Sequence, residues 1–225
     1  MEKNKRRIRI VFWIAVIIVS ASLGVFTAAF DLNASAKKVL IVIYLSIVAL
    51  TSIAIDLMWY RKFNQKLRSL QSVLLQEHDA DRYISEINAL LMGKKSPQIC
   101  SILKLNLCAA YCEKKDYSTA KELLLQINPR KLAGINKFVY WADLAYVHFY
   151  LHEDEKAVLI LTQQKTPFSK LSDHTHLGGL INILLIFQML AEGDKTGARQ
   201  LLEKARPQWE NEHTAPDFEY LDKLC

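Results

Sequence analysis

Apolar residues fall into two kinds of run along this chain. Over residues 8–30 and again over 39–60 they are nearly continuous, interrupted by Arg9 at one edge and Asp56 close to the other. Each run is long enough to cross about 30 Å of hydrocarbon as a helix rising 1.5 Å per residue. After Tyr60 the spacing becomes that of amphipathic helices, with no strand-like alternation of useful length. Gly and Pro punctuate this part at a few points only, from Gly93 and Pro97 to Pro207 and Pro216. The pattern predicts an all-α chain: a basic segment (1–7), a transmembrane hairpin (8–60, spans 8–30 and 39–60, turn 31–38), a helical domain (61–207) and a C-terminal cap (208–225). No Gly or Pro occurs from Val25 to Met92, so the second span is expected to run on without a break until the polar stretch at 76–81. The cap reads as a short helix begun by Asp217.

Composition and charge sharpen this picture. A hydrophobic share of 51% is high for a chain that meets only water, and the net charge of +6 is not spread over a folded face. Lys3, Lys5, Arg6, Arg7 and Arg9 precede the first apolar run, Arg61, Lys62, Lys66 and Arg68 follow the second, and Lys37 and Lys38 lie in the turn. Basic residues gather on the cytoplasmic side of spans, so the expectation is a multi-pass protein of the cell membrane with both termini cytoplasmic. The same placement leaves no basic face for nucleic acid. A cleaved signal sequence is the rival reading, but the first run exceeds the roughly 7–15 residues of a signal core. Asn33-Ala34-Ser35 matches a glycosylation sequon, which so short a turn would hold against the bilayer.

Two features of the spans suggest packing. Ser20, Gly24 and Ala28 form a stripe of small residues on the first span, suited to close approach by another helix. Ser46, Ala49 and Ser52 offer a matching surface on the second; association with another copy of the chain is the alternative use. Asp56 lies one turn from Trp59 and Tyr60, an aromatic pair typical of the headgroup boundary, and is expected to pair with Arg61 and Lys62 rather than to serve an ion path.

The helical domain is self-similar. Leu107, Cys108, Tyr111, Ala120 and Leu124, with Pro129 after them, recur as Trp141, Leu144, Ala145, Ala157 and Leu161, with His148 in the aromatic slot. A third copy has Leu185, Ile186, Met189, Ala198 and Leu202, with Gly193-Asp194 at its turn, and a weaker one has Leu70, Leu74, Tyr83, Ile87 and Leu90. Positions 83, 120, 157 and 198 are spaced by 37, 37 and 41 residues. This order of large, small, aromatic, small and large positions over residues 66–207 resembles the tetratricopeptide repeat, whose ideal period is about 34. The resemblance implies an α-solenoid of three to four helical hairpins. It further implies a concave groove lined by Leu105, Cys112, Val139, Ala142, Tyr146, Phe149, Tyr150, Ile183 and Phe187, apolar and suited to an amphipathic helix or extended peptide. Closure by the C-terminal segment would turn the same residues into core. Of the lysine and asparagine set with which some members clamp a peptide carboxylate, only Asn106 is present.

Other chemistry is sparse. Cys100, Cys108, Cys112 and Cys225 lack the spacing of a disulfide scaffold and read as reduced thiols. Cys108 and Cys112 supply half a zinc site, and the pairs His148/His152 and His174/His176 have no carboxylate in register. No phosphate loop, nucleophile elbow or Ser/His/Asp arrangement occurs. The expectation is therefore no catalytic residue, no metal and no cofactor. The chain reads as a membrane-anchored cytosolic scaffold for a protein or peptide partner, touching lipid through its spans. The alternative is an accessory subunit of a larger membrane complex, acting through the hairpin.

Overall fold

The computed structural model describes residues 2–30, 33–93 and 95–225, apart from the side chains of residues 2–5. The Lys3 and Lys5 side chains and the turn residues Asp31 and Leu32 lie outside the described residues. The remainder contains α-helices and one short 3-10 turn, with no strand among the described residues. The chain divides into two compact units, Met1–Ser69 and Leu70–Cys225. The boundary expected at 60/61 marks where the apolar run stops; the unit boundary falls within α2.

The first unit holds α1 (Glu2–Ala29) and most of α2 (Ala34–Leu75). Both are long and apolar enough to cross a membrane, and each has an 18-residue apolar window of which none is buried. Val11, Ile17, Ile18 and Val25 are exposed on α1, as are Val39, Val42, Leu50 and Ile53 on α2. A helix apolar on every side needs an apolar surrounding. The turn is shorter than 31–38, because Asn33 caps α2 through its side chain, accepting from the Ala36 N–H at 2.7 Å. Lys37 and Lys38 accordingly sit within the first turns of α2 rather than in the connection.

Within this unit the two helices are joined by polar groups at two levels. The Tyr44 hydroxyl donates to the Val16 carbonyl at 2.8 Å and lies 2.7 Å from Ser20 Oγ. Arg9 meets Asp56 with Nη2 at 2.6 and 2.8 Å from the two carboxylate oxygens. The sequence suggested Arg61 and Lys62 as the partners of Asp56; Arg9 supplies the pairing because the hairpin returns it to that level, while Lys62 Nζ lies 5.4 Å from the centroid of the Trp59 ring.

The second unit continues with α3 (Ala80–Leu91), α4 (Pro97–Glu113), α5 (Tyr117–Leu125), the 3-10 turn Pro129–Lys131, α6 (Ile135–Tyr150), α7 (Asp154–Gln163), α8 (Lys165–Ser169), α9 (Gly178–Ala191), α10 (Lys195–Trp209) and α11 (Ala215–Leu224). Successive long helices pack on one another, α3 on α4, α4 on α5, α6 on α7 and α9 on α10. The four key positions of the sequence pattern, Tyr83, Ala120, Ala157 and Ala198, are all buried. Ala at three of them lets helices approach closely. Tyr83 fits because its hydroxyl donates to Asn106 Oδ1 at 2.7 Å.

Five residues ahead of each key position the same turn begins. His78, Lys115, His152 and Gly193 adopt left-handed backbone, with φ of 52°, 59°, 56° and 84°. The next residue, Asp79, Asp116, Glu153 or Asp194, opens the following helix. The three aspartates cap it directly, accepting from the N–H of Arg82, Thr119 and Gly197. Glu153 instead takes Lys121 at 3.0 Å and His148 at 2.5 Å, and these two donors, Lys121 first, hold its carboxyl down at about 2. The 3-10 turn and α8 account for much of the repeat length beyond 34.

The C-terminal part differs from expectation in two respects. α10 runs through Pro207 and ends at Trp209. α11 begins at Ala215, with Thr214 at its N-cap position and Pro216 in the first turn, so Asp217 lies inside the helix and is buried instead of capping it. Trp209 lies across the start of α9, where a β-carbon on Gly178 would stand 2.4 Å from the indole.

Candidate functional site

Residues expected to line the groove lie together in the second unit. Leu105, Ala142, Phe149, Ile183 and Phe187 are buried in the core, and Cys112, Val139, Tyr146 and Tyr150 are half-buried against it. They come from α4, α6 and α9. What sits against their polar edge is α11.

Helical spacing on α6 puts Tyr146 and Tyr150 one turn apart, on the face that also carries Asp143. Tyr146 donates its hydroxyl to Asp217 Oδ1 at 2.9 Å, and Tyr150 donates to the same oxygen. Tyr117 of α5 stacks on Tyr150 with ring centroids 4.5 Å apart. On the other side Tyr150 meets Phe187 at 5.6 Å and Tyr220 of α11 at 5.7 Å. Phe149 stacks on Phe187 at 5.0 Å. Aromatic pairs at these distances add about 0.5–1.5 kcal/mol beyond the area they bury.

The electrostatics follow from burial. Desolvation raises the Asp217 carboxyl in spite of its two phenol donors. Desolvation and then the Asp217 charge push Tyr117 up to about 12 and hold Tyr146 well above its ordinary range. Asp143 is raised to about 8 by desolvation. The Cys108 thiol is raised as well, by its hydrogen bond with Cys112, then burial, then the charge of Asp143. A cysteine held as the neutral thiol is a poor nucleophile, and the two phenols that donate to one carboxylate hold α11 against α6.

No family model, curated protein or solved structure matches this chain.

The remaining sites are readily placed. Ser20, Gly24 and Ala28 are exposed on α1, and a β-carbon added to Gly24 would meet nothing within 4 Å. On α2 the half-buried positions include Tyr44, Val48 and Ser52, whereas Ser46 and Ala49 are exposed. The hairpin seam therefore uses Val16, Ser20 and Tyr44, while Gly24 and Ala28 of the small-residue stripe are exposed. Asn106 is taken up by Tyr83 and by the Ile102 carbonyl. Asp143 and Tyr117 escape sequence reasoning, and Asp217 is read there only as a cap, because a carboxylate or phenol on an apolar face carries no periodic signal. Only Asp143, in register with Val139 and Tyr146, was within reach of it.

Proposed function

We propose that the chain is a membrane-anchored scaffold. In this reading α1 and α2 span the cell membrane with both termini cytoplasmic, and residues 70–225 form a tetratricopeptide-like array that binds a protein or peptide partner and performs no catalysis of its own. The observation that carries it is the seat of α11: an amphipathic helix, docked through one carboxylate on Tyr146 and Tyr150 and through Tyr220 on an aromatic wall. A face that takes such a helix in cis suits one from a partner. The partner motif is then an apolar helix with an acid in the place of Asp217.

The test uses the chain truncated after Glu210, in detergent, and a synthetic peptide of residues 211–225. The peptide is expected to bind, and its Asp217→Ala version to bind at least about tenfold more weakly, the value of one lost charge-assisted hydrogen bond. A partner held by the truncated chain should be displaced by the peptide. A truncated chain that keeps its helix content yet ignores the peptide would refute the reading.

A second reading rests on Gly24. A β-carbon there would meet nothing within 4 Å, so the hairpin also suits docking against a helix of a larger membrane complex. Gly24→Ile should then dissociate a complex recovered in mild detergent and leave peptide binding intact.

A further inference from the structure

Three segments remote in sequence bring metal-binding side chains to one point on the second unit. His78 lies in the turn before α3, Glu113 ends α4, and His213 lies between α10 and α11. One ligand atom from each lies within 4.8 Å of the other two. His78 Nδ1 is 4.0 Å from Glu113 Oε1, and the rings of His78 and His213 are 5.8 Å apart between centroids. On its far side, His78 Nε2 is 3.0 Å from Glu212 Oε1. His213 Nδ1 is buried and has no hydrogen-bond partner. An orphaned buried ring nitrogen calls for an explanation.

We propose that His78, Glu113 and His213 bind a divalent transition-metal ion of the zinc class. Two imidazoles and one carboxylate are borderline donors that suit zinc and its neighbours, whereas calcium and magnesium take oxygen alone. Zinc holds such ligands at about 2.0–2.2 Å, so tetrahedral neighbours stand roughly 3.3 Å apart. The His78 and Glu113 side chains, 42% and 41% exposed, have room to rotate toward that separation. Glu212 completes the arrangement from outside: by accepting the Nε2–H of His78 it orients the ring and leaves the Nδ1 lone pair free to ligate. Charge agrees. Among the described residues His78 is the ion-pair partner of both Glu113 and Glu212, and the adjacent ammonium, Lys114, is held by Asp81 at 2.5 Å. Two carboxylates beside two imidazoles invite a dication. The fourth position is open to water, and the ion staples the turn before α11 to α4 and to the turn before α3. This site stands independently of the scaffold reading.

The experiment titrates the full chain, stripped of metal and held in detergent, with Zn2+ and with Co2+ as a spectroscopic probe. The expected result is saturable binding of a single ion, a rise in Tm, and cobalt d–d bands without a thiolate charge-transfer band. His78→Ala and His213→Ala should each weaken binding at least about tenfold, and Glu212→Gln by about tenfold through the ring it orients, with helix content unchanged in circular dichroism. His152→Ala, a turn histidine away from the site, should leave binding as it was. Absence of saturable binding, binding indifferent to both histidine variants, or a thiolate band that moves the ion to the cysteines would each overturn the proposal.

Discussion

The Tyr146 hydroxyl donates to Asp217 Oδ1 at 2.9 Å, joining residues 71 apart in the chain. Together with the Tyr150 hydroxyl on the same oxygen, this is what fastens α11 to the wall made by α6 and α9. Tyr220 and Phe218 supply the apolar part of the contact, and Phe218 is fully buried.

Replacing Asp217 with Ala removes the carboxylate to which two phenol hydroxyls donate. The expected loss is about 1–3 kcal/mol, whereas Asp217→Asn keeps a carbonyl oxygen and loses less than about 1 kcal/mol. Thermal unfolding ranks the variants, and limited proteolysis should show the Asp217→Ala chain cut first between α10 and α11. Equal Tm values for Asp217→Ala and the parent would contradict this.

Asp143 should make stability fall as pH rises. Its folded carboxyl titrates near 8 against an ordinary value of 3.8, so the folded chain holds a proton that the unfolded chain has already released. Between those values folding takes up a proton, stability drops with rising pH, and the penalty is complete above about 8. Asp143→Asn removes it. The Tm difference between variant and parent should be small at pH 4, grow toward pH 8 and then level off; a difference independent of pH would rule this out.

Gly178 and Gly179 make a matched pair. A β-carbon at 178 would stand 2.4 and 2.5 Å from the Trp209 ring and 2.6 Å from the Ser172 carbonyl oxygen. At 179 the nearest atoms are 3.6 Å away, an ordinary contact. Gly178→Ala should cost about 1–3 kcal/mol as the indole is pushed off α9, while Gly179→Ala should be neutral or slightly stabilising. Trp209 fluorescence and urea unfolding report both effects.

Lys115 stands in left-handed backbone at an exposed turn, with φ 59°. Lys115→Gly should stabilise the second unit by about 0.5–1 kcal/mol, because the strain on the β-carbon outweighs the extra freedom glycine has when unfolded. A lower Tm in the variant would show that the Lys115 side chain makes a contact of greater value than the strain.

The two apolar helices were legible in advance because a run of some twenty apolar residues has few other solutions. The key positions 83, 120, 157 and 198 were legible for a related reason: burial at helix crossings demands a side chain of fitting size at a regular interval. Their common turn was only half legible. Gly193-Asp194 announces a left-handed residue followed by a cap, but His78, Lys115 and His152 occupy the same geometry without glycine, so propensity pointed away from them. In the hairpin the small-residue stripe predicted close packing, and the polar contacts of the seam gather around Tyr44, whose hydroxyl reaches the Val16 carbonyl and Ser20 of that stripe.

By itself, then, the sequence determined the element types, the two long apolar helices and the repeat interval, all of which depend on neighbours a few residues apart. Tertiary structure alone decided which distant groups meet: Arg9 with Asp56, Tyr146 with Asp217, and His78 with Glu113 and His213. The physical reason is that periodicity records which face of a helix is turned inward, whereas the partner of a polar group on that face is set by how the helices are stacked and where the chain returns.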